Sequence, residues 1–234
     1  MTYTPEQKHV IDCVLAIFET GRIPTASSYA TCTILPDGAG ISYGKHQCTD
    51  RAGSLDAVVK RYIELGGGCA EALEKFLPYF AGNLSTKEPP KGPWSSQTHN
   101  VVNLLKTAGS DPVMHRAQDE VFDRDYFLPA VNAAKAAGLT SALGLLTMYD
   151  TCIHSGPGGV GNIRNMFPEK SPANGGDEKA WVLAYIRARR NWLATHKLTV
   201  LHATVYRMDT LKALADAGKW DLAMPLTVRG VKIA

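Results

Sequence analysis

TILPDGAGISYGKHQ, residues 33–47, is where a chain dominated by helical periodicity changes period. β-Branched residues with partial alternation lie on either side of Asp37-Gly38, a pair that favours a tight reversal. SSYATCTILP before the reversal and AGISYGKHQ after it read as a short hairpin or small sheet. The stretch ends in Gly44-Lys45, which invites comparison with a phosphate loop. That loop needs G-x-x-x-x-G-K-[ST] between a strand and a helix. Gly40 to Gly44 is one residue short, and His46 stands where a magnesium-binding Ser or Thr belongs. What remains is a glycine turn that exposes one acid, Asp37.

Helical signals surround this hairpin. Thr4-Pro5-Glu6-Gln7 is a capping box with proline at the first helical position. Val10, Ile11, Val14, Leu15 and Phe18 recur at helical spacing, and Gly21 suits the C-terminal cap, so the first helix runs to about Thr20. Glu19 falls in its last turn. SLDAVVKRYIELGGG and AEALEKFLPYF are amphipathic, and SDPVMHRAQDEVFDRDYF opens with an aspartate cap and a proline. LPAVNAAKAAG, TSALGLLTMYDTCIH, DEKAWVLAYIRARRNWLATH and VYRMDTLKALADAG continue the pattern. GPGGVG, residues 156–161, follows a helix rather than a strand, so it reads as a loop and not as a dinucleotide turn. PLTVRGVKI reads as a terminal strand, and the proline-rich stretch 84–94 as a surface loop or lobe boundary. The expected architecture is mostly α (α+β), one domain over residues 1–234. It has two lobes and a small β-hairpin or sheet lining the cleft between them, because so small a sheet must lean on helices.

Composition narrows the function. With 234 residues, 45% hydrophobic and 20% charged, the chain has ample material for a core. A net charge of +3 without a Lys/Arg run does not suit nucleic acid. No apolar run reaches membrane-spanning length, so no membrane insertion is expected, and the first ten residues lack the pattern of a secretory signal. The expectation is synthesis in the cytoplasm and release by another route. Five cysteines without CxxC spacing read as reduced, mostly buried thiols, with a Cys32–Cys48 bridge across the hairpin as the alternative. His46 with Cys48, and Cys152 with His154, lie two residues apart, which diverges on a helix and does not suit a metal site. No metal or cofactor is expected, and the protein is expected to be a monomer.

Paired carboxylates remain. Glycoside hydrolysis needs one protonated acid at the leaving oxygen and one ionised carboxylate across the sugar plane. Glu19, after the apolar Leu15-Ala16-Ile17-Phe18, suits the acid, and Asp37 on its turn suits the base. The alternative is that Glu19 is a solvated helix end and Asp37 an ordinary turn former.

Glu19 at the end of the first helix, then DGAGIS from Asp37 with Ser42, resembles glycoside hydrolase family 46, the chitosanase family of the lysozyme superfamily. The likeness continues in order through SLDAVVKRYIELGG, ALEKFLPYF, AQDEVFDRDYFLPAVNAAKAAGL, MYDTCIHSGPGG, ARRNW and YRMDT, most of the chain. The resemblance implies a two-lobed, mostly helical enzyme that cleaves β-1,4-linked amino-sugar chains internally and inverts the anomeric centre. It implies Glu19 as general acid and Asp37 as general base, with Ser42 in place of a threonine that helps hold the water. It also implies a buried charged network of Asp150, Arg190 and Arg207, with Arg189 as the substitute for Arg190. Tyr43, Ser54 and His154 are candidate substrate contacts. Tyr43, Tyr149 or Trp94, where exposed, could stack on sugar rings, with core packing the favoured role for each. Two features depart from the family. Ser54 stands where an acid that grips the cationic amine is expected, and no signal is seen. Chitosan and peptidoglycan, which share the β-1,4 amino-sugar backbone, are both retained as polymers. The peptidoglycan reading is a phage endolysin or a delivered cell-wall-lytic toxin. A carbohydrate-binding protein without activity is the third reading.

Overall fold

The structure is a computed structural model and describes residues 3–35, 40–50, 52–80 and 94–234. The chain divides into two compact units, one of residues 1–23 and 124–234, the other of residues 24–123.

The first unit begins with α1 (Pro5–Thr20), which starts and ends as its sequence dictates. Thr4 Oγ1 accepts from Gln7 N–H, the Gln7 side chain accepts from Thr4 N–H, and Gly21 closes the helix in a left-handed conformation. In the second unit, Cys32–Leu35 (β1) pairs antiparallel with Gly40–Tyr43 (β2), in a register that sets Thr33 opposite Ser42. A third strand, Cys48–Thr49 (β3), joins the other edge of β2. The hairpin is thus present and has become a three-stranded sheet. SSYA, expected to be extended, forms a 3₁₀ turn at Ala26–Ala30 in which Thr25 and Ser28 cap each other. Cys48 Sγ donates to Tyr43 O at 3.0 Å, so the thiol is engaged there and no Cys32–Cys48 bridge forms.

Four helices and a fifth complete the second unit: α2 (Ser54–Glu64), α3 (Ala70–Glu74), α4 (Leu77–Phe80), α5 (Trp94–Ala108) and α6 (Pro112–Phe122). Asp111 caps α6 through Val113 N–H and also takes the Tyr62 hydroxyl at 2.7 Å, which ties α2 to α6. Leu55, Val58 and Val59 of α2, with Leu105 and Met114, are fully buried in this unit. Residues 84–93 of the proline-rich stretch lie outside the described residues.

The first unit resumes after a π-helical turn at Asp123–Phe127 with α7 (Leu128–Ala137), α8 (Ala142–Ser155), α9 (Gly158–Arg164), α10 (Glu178–Thr195) and α11 (Tyr206–Asp216). GPGGVG, expected as a loop, is the start of α9: glycines lower helix propensity, yet Ile163 is buried against the core and compensates. The terminal PLTVRGVKI is two strands, β4 (Leu226–Val228) and β5 (Val231–Ile233), reversed at Arg229-Gly230 with both residues at positive φ. The core of this unit is a single cluster that includes Val10, Val14, Leu146, Trp181, Leu211 and Ile233. It is helix packed on helix, with α8 buried along eleven consecutive residues, Ala142 to Cys152. The mostly helical α+β class holds.

Candidate active site

Glu19 closes α1, and its surroundings are built by the residues next to it. Phe18 and Ile17 are buried, while the Glu19 side chain keeps 32% of its surface. The end of α1 is pinned: Gly21 N–H donates to Ile17 O at 2.9 Å, Thr20 Oγ1 to Ala16 O at 2.8 Å, and the Tyr206 hydroxyl to Phe18 O at 2.5 Å. These bonds satisfy carbonyls that a helix end leaves open and fix the direction in which Glu19 leaves the helix.

Behind Glu19 runs a buried chain of charge. Arg207 Nη1 donates to Glu19 Oε1 at 2.7 Å. The same guanidinium reaches Asp150 Oδ1 through Nε at 2.8 Å and through Nη2 at 2.6 Å. Arg189 Nη1 completes the row with a very short bond to Asp150 Oδ2, and its Nη2 donates to Asp150 O at 3.4 Å. Asp150 and Arg189 are fully buried, and Arg207 nearly so. Burial opposes charge on Asp150, but Arg207 and then Arg189 outweigh it and hold the carboxyl at about 2. Asp150 and Glu19 in turn push Arg207 above its ordinary range, against the opposing effect of burial. Arg207 also lies 5.1 Å above the Phe18 ring, so its position is fixed by packing as well as charge.

Two acids face two guanidiniums in this row, so it is neutral when Glu19 is ionised. An ionised Glu19 is therefore already paired. Removing either arginine leaves two carboxylates, one of them fully buried, to one guanidinium, a costly imbalance for ions in a core.

Arg190 does not belong to this row. It is 44% exposed and pairs with Asp209 on the surface, Nε to Oδ1 at 2.5 Å. Adjacent helical residues point about 100° apart, and on α10 that turn takes Arg189 to the core and Arg190 to the surface. Trp181, Tyr185 and Arg189, at spacings of four, share the buried face of α10.

The other candidates separate. Ser42 lies in the middle of β2, 4% exposed, while Asp37 lies outside the described residues. Tyr43 is not an open platform: it is 1% exposed and its hydroxyl donates to Leu105 O at 2.8 Å. Tyr43 and Ile41 share one covered face of β2, and Ser42 on the other face is covered too. Tyr149 is likewise in the core, edge-on to Phe127. Trp94 begins α5, with its side chain outside the described part. Ser54 is a latch rather than an open contact, since its Oγ accepts from Thr49 N–H at 3.0 Å and joins β3 to α2. His154, in the last turn of α8, is pushed down to about 4, chiefly by burial, then by Arg207 and Arg189. It is neutral above that pH and offers a hydrogen bond rather than a charge. Among the described residues no three His, Cys, Asp or Glu side chains are grouped to hold a metal ion.

Comparison with known proteins adds a second, independent line. The model of glycosyl hydrolase family 46 matches residues 13–226. The chitosanase of Streptomyces sp. (strain N174) is 30% identical over an alignment covering 95% of this chain and 78% of that protein. The chitosanase of Bacillus subtilis (strain 168) is 29% identical, covering 96% and 82%. Among solved structures, the GH46 chitosanase of Gynuella sunshinyii in complex with chitotetraose superposes with a TM-score of 0.83 at 25% identity, over 99% of this chain and 98% of that one. A mutant chitosanase from Bacillus subtilis MY002 complexed with 6 GlcN gives 0.83 at 27% identity, over 97% and 96%.

Proposed function

The chain belongs to glycosyl hydrolase family 46, and on that premise we propose that it is an inverting, endo-acting chitosanase that cleaves β-1,4 bonds of chitosan. The observation that carries the mechanism is the Glu19–Arg207–Asp150–Arg189 row, which holds one half-exposed carboxyl at the end of a pinned helix. Glu19 gives its proton to the glycosidic oxygen as the bond to the anomeric carbon breaks. Asp37 takes a proton from a water that attacks the opposite face, with Ser42 helping to hold that water. Inversion needs room for the water, roughly 6.5–9.5 Å between the two carboxyls. Arg207 accompanies the change of charge on Glu19: the carboxylate that appears keeps its hydrogen bond, a charge-assisted one. Relatives with bound chitotetraose and 6 GlcN support the polymer assignment.

The test is product analysis on chitosan beside purified peptidoglycan, with the anomer of the new reducing end read by NMR. Chitosan oligosaccharides of inverted configuration are expected. Retained configuration rules out water activation by Asp37, and release from peptidoglycan alone replaces the substrate. Glu19→Gln is expected to lower kcat by about 10²–10⁴-fold, the span of general acid catalysis. Asp37→Asn is expected to lower turnover similarly while polymer binding persists, because the base acts in the transition state. Equal loss of binding and turnover in Asp37→Asn would make it a structural turn residue.

A further inference from the structure

Asp50 lies in the turn between β3 and α2, outside the row built on Glu19. It is 4% exposed, and among the described residues its Oδ1 has no hydrogen-bond partner and its carboxyl has no cation. The nearest charges do not serve it. Asp56, on the first turn of α2, is a second acid with a buried, unpartnered Oδ1, and its other oxygen is taken by Lys60 at 2.7 Å. Lys45 and His46, on the β2–β3 connection, face Asp119, Lys45 at 3.1 Å and His46 at 4.0 Å. On α6, Glu120 holds Arg61 and Arg116. An ionised carboxylate in this position is buried, without a cation among the described residues and beside a second acid, an arrangement that costs free energy.

Asp50 is also tied to the backbone that follows the proposed water-activating segment, and its side chain fills the space beside that backbone. Asp50 N–H donates to Ile41 O at 3.1 Å. Gly40, the first residue of β2, has a φ of +79°, and a Cβ there would meet Asp50 Cβ at 3.1 Å and Oδ2 at 3.2 Å. The Asp50 side chain is therefore packed against the strand start that follows Asp37 by three residues and precedes Ser42 by two.

We propose that Asp50 is a positioning residue that works in its protonated form: the neutral carboxyl supports Gly40 and the start of β2, and its ionisation withdraws that support and lowers hydrolysis on the alkaline side. This rests on the chitosanase reading above. A proton removes one of two neighbouring negative charges and the cost of burying it. Burial first, and the Asp56 carboxylate second, hold the Asp50 carboxyl up to about 6. Because the folded state keeps this proton longer than the unfolded chain, stability is fully present below the ordinary value of 3.8 and declines as pH rises through about 6.

Asp50→Asn is isosteric and uncharged at every pH. Its kcat–pH profile on one chitosan preparation is compared with that of the parent, and melting temperatures are recorded from pH 4 to 8. Titration of the substrate amines cancels between the two enzymes. The alkaline limb of kcat is expected to move up by about one pH unit or more, and the melting temperature of the variant to gain on the parent as pH rises. Parallel profiles for two active enzymes overturn the proposal. A change in melting behaviour with an unmoved kcat limb overturns the positioning role and leaves only a structural one. A parent inert on chitosan sinks the chitosanase reading itself, an outcome distinct from both. Where Asp50→Asn does not fold, Asp50→Ser, also uncharged, carries the same comparison.

Discussion

At the scale of single residues, the contrast between Arg189 and Arg190 separates burial from adjacency. Both stand in one short motif, yet one is fully buried on Asp150 and the other lies on the surface with Asp209. Arg189→Ala is expected to cost about 3–5 kcal/mol, because it strands a buried carboxylate half of whose partners are gone. Arg190→Ala should leave the melting temperature where it was, since exposed pairs contribute little. Equal shifts in the two variants would place the wrong arginine in the core. Arg207→Ala should behave like Arg189→Ala in stability and also reduce kcat, because only Arg207 touches Glu19.

At the scale of elements, the end of α1 and the start of α11 form one device. Tyr206 bonds Phe18 O and packs edge-on against the Phe18 ring, while its neighbour Arg207 holds Glu19. Tyr206→Phe keeps the ring and removes the bond, so about 1 kcal/mol of stability should be lost. Activity should fall with kcat affected more than KM, because the change alters the aim of Glu19 rather than the sugar contacts. An unchanged kcat would show that Gly21 and Thr20 suffice to hold the helix end. The local rules were readable here: capping box, apolar spacing and glycine stop predict a helix from Pro5 to about Thr20, where α1 ends. They failed within GPGGVG, where burial of Ile163 against the core outweighs the low helix propensity of the three glycines that enter α9.

At the scale of the whole molecule, the acid limit of stability traces to Asp150. Its folded-state value, about 2, lies below the ordinary 3.8, so the native protein binds fewer protons than the unfolded chain between those values. Its contribution is present above about pH 4 and is lost as pH falls towards 2. Asp150→Asn should be less stable than the parent at pH 6, and the gap should narrow steadily between pH 4 and pH 2 in urea unfolding. A gap constant with pH would mean that the carboxyl does not titrate there.

Local chemistry was sufficient for much of this protein. The helical class, the hairpin, the first helix with Glu19 in its last turn, and the ordered set of motifs pointing to the family were all legible, because caps, turns and periodicity depend on residues within about four positions of one another. The Glu19–Arg207 pair spans 188 residues and the Asp150–Arg189 pair 39. Which of two adjacent arginines entered the core was decided by the phase of α10 against α8. Tyr43 and Ser54 are interior ties, and Asp50, which no local pattern singles out, is a buried acid. Burial and pairing are properties of the packed chain, fixed only when distant segments remove water from the same place.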